Sequence, residues 1–193
     1  MHLKIAGFAA LTGLMLNTIT WANAIPMVVG PCITCHGAGG SSQGPAIPTI
    51  ASLEKETFLD IMQAYKDGSR PSTIMGRFAK GYTEADFNIM ADYFGKQPVV
   101  RYHQKFDQAK AEQGAKHHQK YCEKCHEDNG FKDEDGTNIL AGQWMPYLQF
   151  NLTDFQTGER DMPKKMQKRL QEMLEKHGEQ SLGEIVNFYG SQK

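Results

Sequence analysis

Cys32-Ile33-Thr34-Cys35-His36 recurs 90 residues further on as Cys122-Glu123-Lys124-Cys125-His126, and the two copies use all four cysteines of the chain. Two cysteines three positions apart lie on one side of a helical turn, so both thiols can reach the two vinyl groups of one porphyrin. The histidine directly after them is then placed beneath the iron as its proximal ligand. The pair of motifs points to two covalently bound haem c groups. Cys32, Cys35, Cys122 and Cys125 are the candidate attachment points, and His36 and His126 the candidate iron ligands.

Three other chemistries use such residues, and each fits less well. A four-ligand zinc site would need the two cysteine pairs to converge although they belong to separate repeats. Thiol redox of the thioredoxin kind needs a βαβ context that the sequence does not offer. Disulfides suit an exported chain but give no reason for a histidine in both copies.

The 90-residue offset extends beyond the motifs. Ile50-Ala51 matches Leu140-Ala141, Phe58 matches Leu148, Tyr65 matches Phe155, and Gly68-Ser69-Arg70 matches Gly158-Glu159-Arg160. Towards the end of each half, Phe87, Met90, Tyr93 and Phe94 correspond to Leu182, Ile185, Phe188 and Tyr189 at an offset of 95. A repeat this long is a duplicated domain rather than a solenoid unit. Phe58, Ile61, Met62 and Tyr65 recur at helical spacing within 54–67. Thr83 is placed to cap a helix carrying Phe87, Met90 and Phe94. The segments 144–155 and 181–189 take the same roles in the second half. Gln97-Pro98 breaks the helical pattern and marks a linker near 96–101. No strand-type alternation stands out. The expected fold is all-α, two class I cytochrome c-like domains in tandem at 25–98 and 99–193, behind a cleaved signal peptide at 1–24.

Lys4, the apolar run from Ile5 to Leu16 and Ala22-Asn23-Ala24 have the order of a secretory signal. Asn17 and Thr18 interrupt the run before it could span a bilayer. No membrane span is expected, and the mature chain is expected in the periplasm. Of 193 residues, 40% are hydrophobic and 22% charged, with 21 basic against 22 acidic side chains. That balance excludes a disordered chain and gives no basic excess for nucleic acid. Each half is small for a bare helical core, and a large apolar macrocycle held covalently would complete it.

A methionine downstream of the motif commonly supplies the sixth iron ligand. In the first half the candidate is Met75, within Pro71-Ser72-Thr73-Ile74-Met75-Gly76, a segment rich in turn residues. Met62 and Met90 lie on periodic apolar faces and are assigned to the core. The second half offers Met166 and Met162. Met166 lies 91 residues after Met75 and keeps the repeat offset rising steadily from 90 to 95, so it is preferred. His103, His117, His118 and His177 are expected at the surface. Asp133-Glu134-Asp135 and the cluster Lys164, Lys165, Lys168 and Arg169 are expected to be solvated faces.

With those residues in hand, the whole mature chain resembles the dihaem cytochrome subunit of flavocytochrome c sulfide dehydrogenase. The likeness is carried by Gly44-Pro45-Ala46, by Pro71-Ser72-Thr73-Ile74-Met75-Gly76-Arg77 with Ala79-Lys80-Gly81-Tyr82, and by Lys120-Tyr121 before the second motif. Ile139-Leu140-Ala141-Gly142-Gln143-Trp144 and Pro146-Tyr147-Leu148-Gln149 extend it. The resemblance implies a periplasmic heterodimer with a larger flavoprotein. By that likeness FAD would sit on the partner subunit alone, sulfide would be oxidised there, and electrons would pass through the two haems to a small soluble cytochrome or similar acceptor. It also implies Met75 and Met166 as distal ligands. The chain would then be an electron-transfer subunit, not catalytic by itself. The alternatives are a free-standing periplasmic dihaem carrier and a dihaem oxidoreductase such as a thiosulfate dehydrogenase. Pro45 stands where class I cytochromes place a proline whose carbonyl orients the proximal histidine, and the position 90 residues on is Asp135.

Overall fold

The computed structural model describes residues 24–133 and 136–193. The expected leader lies outside them except for Ala24, as do Glu134 and Asp135. The described residues form helices and connecting turns with no strand. The first half holds α1 (Gly30–His36), α2 (Lys55–Asp67), α3 (Met75–Ala79) and α4 (Glu84–Phe94). The second holds α5 (Gln108–His117), α6 (Glu127–Gly130), α7 (Met145–Thr157), α8 (Lys164–His177) and α9 (Gln180–Ser191).

Local sequence explains most of the helix ends. The Thr83 hydroxyl accepts from the Asp86 N–H, and the Asp86 carboxylate accepts from the Thr83 N–H at 2.8 Å, a reciprocal cap that starts α4. Asp107 caps α5 by accepting from the Lys110 N–H. Gly68 and Gly158 end α2 and α7 in the left-handed conformation. Beyond His117 the chain takes one π turn, His118–Cys122, which carries α5 directly into the second cysteine pair. Such turns are rare and often functional.

The repeat read from sequence is a repeat of hydrogen bonds. The N–H groups of Ile50 and Ala51 donate to the Gly40 carbonyl, and those of Leu140 and Ala141 to the Gly130 carbonyl. Ser52 N–H donates to Phe94 O, and Gly142 N–H to Tyr189 O. A Cβ on Gly40 would stand 2.7 Å from the Phe94 ring, and one on Gly130 2.8 Å from the Tyr189 ring. With φ of 83° and 84°, both positions require glycine twice over.

Each half has its own core. Val29, Phe58, Met62, Phe87, Met90 and Phe94 are buried in the first, as the periodicity predicted for the two methionines. Tyr121, Leu148, Met173, Ile185, Phe188 and Tyr189 are buried in the second. Burying one such large side chain stabilises by about 1.5–3 kcal/mol. The α5 helix packs along α9, and α2 against α3 and α4.

Polar groups join the halves. Gln143 exchanges two hydrogen bonds with the Thr49 backbone, at 3.0 and 2.7 Å, as a neighbouring strand residue would. Trp144 Nε1 donates to Ser42 O at 3.0 Å. The Asp133 carboxylate accepts from the Glu54 N–H and the Thr57 hydroxyl. Asp133 is thus part of the seam rather than a solvated face, because it meets the open N-terminus of α2.

Candidate functional site

Each Cys-x-x-Cys-His segment places one thiol inward and one outward. Cys32 and Cys122 are partly covered, Cys35 and Cys125 are exposed, and none of the four is in a disulfide. Burial pushes the Cys32 thiol up and the Cys122 thiol up to about 12, so both stay protonated near neutral pH. A redox-active pair of the thioredoxin kind needs a stabilised thiolate, and that environment is the reverse. Among the described residues no three His, Cys, Asp or Glu side chains gather as a metal cluster. The two cysteine pairs therefore do not converge as a shared zinc site would require.

Of the histidines of the two motifs, His36 is buried and His126 half-buried, and burial holds both as neutral bases. His36 is 7% exposed, and its Nδ1–H donates to the Pro48 carbonyl at 2.8 Å, leaving Nε2 as the free lone pair. Burial lowers its pKa, while the Pro48 carbonyl opposes that shift. His126 is pushed down to about 4, by burial first and by His118 second. Neutral imidazoles with one free nitrogen are what an iron ligand requires.

The orienting carbonyl in the first half belongs to Pro48, not to Pro45. The position 90 residues on is then Asn138 rather than Asp135. Asn138 has a left-handed backbone, φ 61°, and its carbonyl accepts no hydrogen bond from His126 Nδ1. Among the described residues, the buried His126 Nδ1 has no hydrogen-bond partner. The two imidazoles thus differ in the bond that tunes a ligand's basicity.

Met75 and Met166 occupy matching places. Met75 is the first residue of α3, and Met166 is the third of α8. Each helix follows a turn closed by an arginine N–H: Arg70 to Ala64 O and Arg160 to Asp154 O, both 3.0 Å. The turn-rich segment ahead of Met75 ends in a short helix because Ser72 Oγ accepts from the Gly76 N–H at 2.7 Å. Met162 lies in the loop before α8. Exposed around these helices are Ile74 and Phe78 in the first half, and Lys164, Lys165, Lys168 and Arg169 in the second.

Two histidines expected at the surface are inside. His118 is 1% exposed, with Nδ1 paired to the Tyr189 hydroxyl at 2.9 Å and Nε2 to Glu123. His117 is buried with Nε2 2.7 Å from Glu184 Oε2. The π turn after α5 turns this stretch towards α9, where α9 supplies the partners. The sequence signal was weak: Glu184 and Tyr189 are distant in the chain, and only the expectation that α9 packs near the motif could have joined them.

The residues present fit haem: outward and inward thiols on one turn, and a neutral imidazole directly after them, buried in the first half and half-buried in the second. No family model matches the chain. It is 44% identical over 64 residues to the "cytochrome subunit of sulfide dehydrogenase" of Chlorobaculum tepidum, a match covering 33% of this chain and 57% of that protein. It is 32% identical over 151 residues to cytochrome c4 of Stutzerimonas stutzeri, covering 68% of this chain and 70% of that one. Among solved structures, reduced recombinant cytochrome c4 from Pseudomonas stutzeri superposes with a TM-score of 0.72 at 25% identity, over 86% of this chain and 95% of the other. The sulfide dehydrogenase likeness spans little more than half of that relative, whereas the cytochrome c4 likeness spans both halves of the repeat.

Proposed function

The chain belongs to the dihaem cytochromes c that include cytochrome c4, and we propose that it serves a sulfide-oxidising flavoprotein as its electron-transfer subunit. Its two covalently bound haem c groups make it an electron-transfer protein, and when bound they supply one-electron chemistry. In this reading Cys32 and Cys35 hold one haem and Cys122 and Cys125 the other. His36 and His126 are the proximal ligands, and Met75 and Met166 the distal ones. The chain's own residues bind, orient and shield the redox groups and carry out no substrate chemistry.

The observation that carries the sulfide assignment is the 44% identity to the cytochrome subunit of sulfide dehydrogenase. The two surfaces beside the methionines support it. Ile74 and Phe78, exposed on either side of Met75, are apolar and suit a lasting contact with a partner subunit. Lys164, Lys165 and Lys168, beside Met166, make no ion pair among the described residues and suit brief docking of an acidic acceptor. Electrons then enter at the first half from the FAD-bearing subunit and leave from the second to a small soluble carrier in the periplasm. No helix among the described residues is long and apolar enough to cross a membrane.

Purification from the native host tests this. The expected result is a complex containing haem and flavin in which sulfide reduces both haems. A haem chain that elutes alone, with no flavin and no reduction by sulfide, overturns the assignment. That outcome would favour the second reading, a free-standing dihaem carrier, for which the longer cytochrome c4 likeness speaks.

A further inference from the structure

Glu123 stands between the two cysteines of the second motif, and its carboxylate is used twice. Oε1 accepts from the Asp128 N–H at 3.2 Å, two residues beyond His126, and Oε2 pairs with His118 Nε2. A carboxylate only accepts, so His118 donates through Nε2, while burial lowers its pKa and keeps the ring neutral. Nδ1 is then the acceptor for the Tyr189 hydroxyl at 2.9 Å. That hydroxyl also lies against the Cys122 sulfur. His118 is 1% exposed and Tyr189 4%. One polar chain thus runs from the loop after His126, through the motif and the π turn, to α9.

The first half is built differently. Ninety residues earlier stand Val28 and Ile33, both packed against apolar core, and the repeat partner of Tyr189 is Phe94. His36 has the Pro48 carbonyl on Nδ1, whereas His126 Nδ1 has no acceptor among the described residues. Just beyond His126, Asp128 and Asn129 are left-handed, at φ 52° and 56°. A residue with a side chain keeps that conformation only where its surroundings hold it. The first half has Gly39, φ 67°, in place of Asn129. The backbone that carries His126 is fastened on one side by its own N–H, which donates to the Cys122 carbonyl at 2.9 Å. On the other side it is fastened by Glu123. Burying a histidine and a tyrosine hydroxyl is costly unless they are paired, and a fully paired network specifies one arrangement.

We propose that Glu123 and His118 are positioning residues for the second haem: they fix the His126 imidazole through the backbone on which it stands, the task that the Pro48 carbonyl performs directly on the ring of His36. Near-identical motifs are then oriented by two different devices. The inference rests on His126 as a proximal ligand and is independent of which protein supplies electrons.

Electron paramagnetic resonance of the ferric, haem-loaded chain tests it, because the largest g value of a low-spin haem follows the orientation of its ligand planes. Haem content and circular dichroism check loading and folding. Combining His118→Val, Glu123→Ile and Tyr189→Phe gives the second half the apolar set of the first and leaves none of the three side chains with an orphaned partner among them. The expected result is that one of the two low-spin signals shifts and broadens while the other stays. Two unchanged signals, or two altered alike, overturn the proposal. Glu123→Gln keeps an acceptor for the Asp128 N–H and offers an amide N–H to His118, with the charge removed. It should leave the spectrum as in the wild type. A change as large as that of Glu123→Ile would mean that charge acts and not the clamp, and would refute the positioning role. Should the combined variant not fold, Glu123→Ile alone, at a side chain 42% exposed, decides against Glu123→Gln by the same signal. A wild type without a second low-spin signal refutes His126 ligation itself, whereas loss of the sulfide donor leaves every readout intact, so the readings fail separately.

Discussion

Gly114 lets α5 lie directly against the α9 backbone, and a single methyl group there should loosen the second half. It sits on α5 facing α9. A Cβ at this position would lie 2.1 Å from the Glu184 carbonyl oxygen and 2.7 Å from Phe188 Cβ. Both obstacles are fixed to the α9 backbone, so no rotamer change relieves them. Restoring contact at 3.4 Å requires the helices to part by about 1.3 Å. A gap of that size weakens packing all along α9, whose Leu182, Ile185, Val186, Phe188 and Tyr189 are each buried. Overpacking of this sort costs about 2–4 kcal/mol, and the better helix propensity of alanine offsets about 1 kcal/mol. The net loss for Gly114→Ala is about 1–3 kcal/mol, which in a chain of this length lowers Tm by roughly 2–12 °C. Thermal melts of the haem-loaded protein, followed by far-ultraviolet circular dichroism and by the haem band, measure it. Gly183 provides the opposite sign on the same helix. Nothing lies within 4 Å of a Cβ built there, so Gly183→Ala should stabilise by about 0.5–1 kcal/mol. If Gly114→Ala melts at or above the wild-type temperature, the tight crossing is wrong.

Three further outcomes follow from the geometry. Asp86, held below the usual carboxylate range chiefly by the Thr83 hydroxyl, stabilises the cap of α4 fully above pH 3.8 and less as pH falls through its folded-state pKa. Asp86→Asn should therefore destabilise at neutral pH, and the difference from wild type should vanish in acid; a gap that persists in acid denaturation curves counts against the cap. Met75→Ala and Met166→Ala should each remove half of the methionine-to-iron absorbance at the red end of the ferric spectrum, while Met162→Ala leaves it whole; loss with Met162→Ala would reverse the choice in the second half. His36 donates to Pro48 while His126 Nδ1 has no acceptor among the described residues, so the second imidazole should be the less basic ligand and its haem the more readily reduced. Redox titration should give two one-electron waves, with Met166→Ala altering the upper one; a single wave or the opposite order refutes it.

The helices were legible where periodicity and capping agree. Thr83 caps α4, and Met62 and Met90 are core, because apolar spacing and an N-cap act within a few residues of each other. The acceptor for His36 was misplaced by three residues, from Pro45 to Pro48, since a proline's presence does not say where its carbonyl points. His117 and His118 read as surface because their partners Glu184 and Tyr189 are about 70 residues away and invisible to any local pattern. Asp133 read as a charged face for the same reason, its contact being the start of α2 in the other half.

The order of residues alone dictates the repeat, the two attachment motifs and the all-helical character, since these depend on spacing along the chain and on side chains that meet within one or two turns. How the halves sit together is a different matter. Gln143 mating with the Thr49 backbone, Trp144 reaching Ser42, and Arg70 and Arg160 converging on one Asn151 oxygen all join residues that share no sequence window. These contacts arise when two folded cores bury a common surface, and desolvation there gives meaning to charges that read as ordinary in the linear chain. The asymmetry between His36 and His126 belongs to that class too: identical motifs are distinguished by where one loop's carbonyl comes to rest.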